Sequence, residues 1–104
     1  MAKMFKVCCG VREHNGEYGY VVKRVRGEEY PIDDNLFIYT QKGVYHLVDK
    51  ETGLELNHFH YYQDLEVWYV SNKNKYYMFR ESAQYKIKVK KFKQLQEVAK
   101  WLKY

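Results

Sequence analysis

The chain has 104 residues, 46% of them hydrophobic and 30% charged, a balance that fits one globular domain and excludes intrinsic disorder. Eighteen Lys+Arg against 13 Asp+Glu leave a net charge of +5, and 12 tyrosines set rigid amphipathic rings beside ammonium groups, a composition suited to binding. No stretch approaches the roughly 20 apolar residues of a membrane span, so a transmembrane helix is excluded as an expectation.

Met1 to Lys6 lacks the uninterrupted apolar run of a secretory signal. Cys8 and Cys9 are adjacent and point to opposite faces of a strand, which disfavours a disulfide between them and fits a reduced, cytoplasmic protein. Phe5, Val7 and Cys9 share one strand face, and Asn15-Gly16 is a strong two-residue hairpin signal. The return strand runs from Tyr18 to Val25, Arg26-Gly27 breaks it, and Pro31 with Asp33-Asp34-Asn35 makes a loop. Leu36 to Gln41 and Val44 to Asp49 are strands separated by Lys42-Gly43, and the turn at 50–53 leads into Leu54 to Phe59.

Further along, Leu65 to Val70 and Tyr76 to Arg80 are expected to pair across a hairpin at Ser71-Asn72-Lys73-Asn74-Lys75, and a last strand is expected from about Gln84 to Lys90. Only the C-terminus has helical spacing, through Phe92, Leu95, Val98, Ala99 and Leu102. The expected fold is α+β: a mainly antiparallel twisted sheet or small partly open barrel built of hairpins, with one C-terminal amphipathic helix packed on it. A single compact domain over 1–104 is expected, and exposed strand edges permit a homodimer.

Charge is unevenly distributed. Residues 1–27 hold 6 Lys+Arg against 2 Asp+Glu and residues 84–104 hold 7 against 1, whereas residues 28–66 hold 2 against 9. Read as a strand, Tyr85 to Lys90 puts Lys86, Lys88 and Lys90 on one face, their ammonium groups about 6.6 Å apart, with Lys91 extending the patch. Trp68 and Tyr77, on the face opposite Leu65, Val67 and Tyr69, are the rings expected to stack on bases. The expectation is a non-enzymatic binding protein that engages nucleic acid, or a protein that handles it, through these six residues.

A protein-binding alternative uses the acidic middle. Glu28, Glu29, Asp33, Asp34 and Asp64 would imitate phosphates in a basic groove of a host nuclease or polymerase, with Tyr30, Phe37 and Tyr39 as anchors. In its Lys-, Tyr- and Asn-rich composition the chain resembles accessory proteins of bacteriophages and mobile elements, anti-CRISPR inhibitors among them, and that resemblance implies inhibition by direct contact.

A third alternative is a small metal-dependent β-fold enzyme. His58 and His60 share a strand face, with Asp64 and Glu66 following and His46 on a neighbouring strand, the makings of a two-histidine, one-carboxylate triad. His58-Phe59-His60 is similar to the His-x-His start of the cupins, although the upstream glycine and the later proline-glycine and histidine motif are missing. Glu28-Glu29 and Asp33-Asp34 look like solvated turn residues, and no Gly-rich phosphate loop or zinc cysteine spacing occurs. No cofactor and no catalytic residue are expected.

Overall fold

Alternating apolar residues build a β-meander, and helical periodicity then builds the layer that covers it. The computed structural model describes residues 3–14 and 17–102, with side chains described for 3–8 and 22–93. The Asn15-Gly16 turn and the side chains of Leu95, Val98, Ala99 and Leu102 lie outside these described residues. The elements are β1 (Lys3–His14), β2 (Glu17–Glu29), β3 (Leu36–Gln41), β4 (Val44–Asp49), β5 (Glu55–Phe59), α1 (Tyr62–Arg80) and α2 (Ala83–Leu102). The strands form one open antiparallel sheet in the order β1-β2-β3-β4-β5, so every strand lies beside its neighbour in sequence.

β3 and β4 pair along their whole length, from Leu36 opposite Asp49 to Gln41 opposite Val44. Their turn, Lys42-Gly43, has positive φ at both residues, the backbone that matches a two-residue hairpin to strand twist. Leu36, Ile38 and Leu47 face α1, where they meet Tyr30, Leu65, Tyr69 and Tyr76. The opposite face of the same strands buries Phe37 and Val48 against Val7. β2 pairs with β3 only from Gly27 to Glu29, while its pairing with β1 runs on to His14 opposite Glu17. The hairpin therefore leaves the sheet and folds over its second face, stacking Phe5 on Phe37 with ring centroids 4.1 Å apart. A register irregularity between Cys8 and Val11 accompanies this bend.

Three expectations are overturned. Leu65–Val70 and Tyr76–Arg80 are the two ends of one helix, α1, and the supposed turn at 71–75 is its interior. Leu65, Tyr69 and Tyr76 are buried along one side of it, so the inward spacing is that of a helix. The strand expected from Gln84 to Lys90 is the first half of α2. There are thus two helices and an open sheet, an α+β fold. Arg26-Gly27 does not end β2, since Gly27 pairs with Tyr39 inside it.

α2 lies against β2 and touches the β4–β5 turn. Gly53 in that turn has φ +64°, and its backbone donates to the Asp49 carbonyl (2.9 Å) and accepts from Cys8 N–H (2.8 Å). A Cβ at this position would run into the buried ring of Phe92. Gly53→Ala should therefore cost about 2–4 kcal/mol, combining about 1 for a side chain at positive φ with ~1–3 for overpacking. Urea unfolding measures this, and an unchanged midpoint would show that α2 does not rest on the turn.

Candidate functional site

Two buried carboxylates set the position of the helices. Asp49, 2% exposed at the end of β4, orders its own turn by accepting from Glu51 N–H (2.8 Å) and Thr52 N–H (3.0 Å). It also accepts from the Tyr76 hydroxyl of α1 (2.5 Å) and the Tyr85 hydroxyl of α2 (2.8 Å). Asp33, 4% exposed, repeats the arrangement in the loop before β3. It accepts from Asn35 N–H (2.9 Å) and from the Tyr69 (2.8 Å) and Tyr77 (2.7 Å) hydroxyls of α1. The two loops are tied together by Lys50 N–H donating to the Asn35 carbonyl (3.0 Å).

Arg80 closes the Asp49 cluster. Its guanidinium lies 5.8 Å from the Tyr76 ring centre and 5.4 Å from that of Tyr85, donates from Nε to the Tyr85 hydroxyl (3.3 Å), and pairs with Glu51. Burial, and then the Asp49 hydrogen bond, push Tyr76 and Tyr85 far above the usual phenol range. Burial would raise the Asp33 carboxyl, but the donors from Asn35, Tyr77 and Tyr69 outweigh it and hold it below the ordinary value. Burial also pushes Tyr30 up to about 12, and its buried hydroxyl has no partner among the described residues.

The same anchor sets out the basic surface. Ser82 Oγ accepts from Tyr85 N–H (3.2 Å) and so caps the start of α2. Tyr85, Val89 and Phe92 then turn inward, leaving Lys86, Lys88, Lys90, Lys91 and Lys93 exposed. Helical rotation separates what a strand would have aligned. Lys86, Lys90 and Lys93 occupy one flank, Lys88 and Lys91 the other, with exposed Ile87 between them. α2 packs on β2, the strand that carries the exposed Arg24 and Arg26 of the other basic stretch.

Of the two expected stacking rings, only Tyr77 is near the lysines. It lines a cavity of about 470 Å³ with Arg80, Tyr85 and Lys86, although its hydroxyl is held by Asp33. Trp68 is half-buried against Phe59 of β5, away from α2. In the acidic set, Tyr30 and Phe37 are core residues and Asp33 is consumed by tyrosines, so these three cannot reach a partner. Glu28, Glu29, Asp34 and Asp64 are exposed and Tyr39 is half-buried, stacked on His46 at 4.6 Å. Glu29 already pairs with Lys3 (3.1 Å) and Lys50 (3.2 Å).

The histidines regroup. His58 stands opposite His46 in the β4–β5 ladder, and both turn Nδ1 toward the Glu55 carboxylate. His60 lies beyond the end of β5, and Asp64 and Glu66 belong to α1, so the expected triad does not assemble. Among the described residues no group of three or more His, Cys, Asp or Glu side chains is placed to hold a metal ion. Nor is any described helix long and apolar enough to cross a membrane. The Cys8 thiol donates to the Thr52 carbonyl (3.6 Å). Compared with protein-family models, curated proteins and solved structures, the chain matches none.

Tyr76→Phe removes a donor from a buried carboxylate and should cost about 1.5–3 kcal/mol, whereas Tyr30→Phe deletes an unpartnered hydroxyl and should leave stability unchanged or slightly raised. Chemical unfolding of both variants separates these outcomes, and equal losses would contradict the assignment. The depressed Asp33 pKa makes its contribution complete above about pH 4 and lost as pH falls through the folded value. Asp33→Asn should accordingly flatten the acid limb of a stability–pH curve.

Proposed function

We propose that this is a non-enzymatic binding protein that engages nucleic acid through the surface shared by α2 and the β1–β2 hairpin. One observation carries the proposal: α2 packs on β2, so the two basic stretches of the chain adjoin while the acidic stretch forms the rest of the sheet. Between Ala83 and Lys93 the helix has five exposed lysines and no carboxylate. Their i, i+4 and i, i+7 separations, about 6 and 10 Å, lie near or within a Debye length, so their potentials add.

The two-flank arrangement favours a duplex over a single tracked strand. An α-helix about 10–12 Å across fits the roughly 12 Å major groove, where each flank would meet one phosphate wall. Lys86, Lys88, Lys90 and Lys91 act as charge partners, and Tyr77 beside Lys86 supplies the nearest ring. Trp68 has no part in this contact.

A second proposal uses the acidic stretch. Burial, and then the charges of Glu66 and Glu28, raise the Tyr62 pKa, beside a cavity of about 580 Å³ lined by Arg26, Glu28, Tyr39, Tyr45 and Tyr62. Glu28, Asp34 and Asp64 would imitate phosphates against a basic protein, Glu28 from the wall of that cavity. Capture from lysate with and without nuclease separates the two, because direct protein contact survives the treatment.

Binding to duplex DNA across a salt series tests the first proposal. Log affinity should fall against log salt with a slope of about −0.9 for each phosphate neutralised, and the Lys86, Lys88, Lys90 and Lys91→Ala quadruple variant should have a visibly shallower slope. A flat dependence, or wild-type affinity in the quadruple variant, would remove the proposal.

A further inference from the structure

α1 turns Leu65, Tyr69 and Tyr76 into the core and holds Gln63, Val67, Val70, Ser71, Asn74 and Met78 on its outer side. Val67 and Val70 are each 61% exposed and Met78 74%. This outer strip carries no charge, in a chain whose residues are 30% charged. Charges instead line its margins: at about 100° per residue, Asp64 and Lys75 fall along one and Glu66 and Lys73 along the other. Solvent-facing helix surfaces are ordinarily charged, so an uncharged strip between charged margins has the form of a contact surface.

The order of the charges identifies what it contacts. Asp64 and Lys75 are equally far from the point between Tyr69 and Val70, and so are Glu66 and Lys73. A two-fold axis crossing α1 there places Asp64 beside Lys75 of a second copy and Glu66 beside Lys73 of it, with every margin contact attractive. Parallel packing of the same strips would bring acid against acid and lysine against lysine. The axis also sets Val70 against its own equivalent, and brings the exposed Tyr61 ring level with Met78 of the second copy.

We propose that the outer strip of α1 is the self-association surface of this protein, forming an antiparallel homodimer about that axis. A 19-residue helix is about 28 Å long, so the contact lies at the small end of specific interfaces and the dimer is concentration-dependent.

Sedimentation equilibrium from about 1 µM to 1 mM, a range that brackets micromolar dissociation constants, should give a mass rising from monomer toward twice that value. Val70→Lys, which sets two ammonium groups against each other at the axis, should hold the mass at monomer. Asp64→Lys and Lys75→Asp should each weaken association by about 3- to 30-fold, while the double variant should restore it because the pair is re-formed with signs exchanged. All three positions are exposed, and circular dichroism verifies that each variant keeps its helices. A monomer throughout, undiminished association in Val70→Lys, or a double variant no tighter than the single ones would each overturn the proposal. Pairing through a strand edge gives the second of these results.

Discussion

The carboxylate of Asp49, withdrawn from water where β4 ends, is the interaction on which the other elements depend. An ionised group in that position is costly unless donors surround it, and here they come from its own turn, from α1 and from α2. Sheet, turn and both helices are therefore held by one small anion. Asp33 does the same for α1 and the loop before β3, and the adjacent Tyr76 and Tyr77 divide their hydroxyls between the two sites. Apolar packing alone would leave α1 free to shift along the sheet. Directional bonds to two fixed carboxylates set its position along the sheet and its rotation.

The strands were legible because their chemistry is local. Leu36–Gln41 and Val44–Asp49 lie between turn-forming residues, with β-branched or aromatic residues alternating along them. α1 was misread because its solvent side also carries apolar residues: Val67 and Val70 beside Leu65 and Tyr69 imitate strand alternation, and Ser71–Lys75 has turn-like composition. The 65, 69, 72, 76, 80 spacing was available and is that of a helix. The Lys86–Lys90 stretch fits either period, and the decisive signal was the Ser82 cap followed by Tyr85, Val89 and Phe92.

For the candidate site, residue types were legible and their partners were not. Exposed lysines on α2 follow from composition, but their division between two flanks follows only from the helix. That Asp33 and Asp49 would be buried could not be read, because aspartate beside a turn is ordinarily solvated, and the tyrosines that bury them lie 27 to 44 residues away. The abundance of tyrosine has this explanation in part: among the described residues, four tyrosines are bound through their hydroxyls to these two carboxylates.

Sequence-adjacent strand order has a kinetic consequence. Each strand can close on its predecessor through a short turn, so little loop entropy opposes the growing meander. Links that span the chain, the tyrosine hydroxyls and the Cys8–Gly53 bond among them, can form only after both partners exist. Assembly thus divides into rapid zippering of neighbours and a later docking event that withdraws two anions from water together, concentrating cooperativity in the final step.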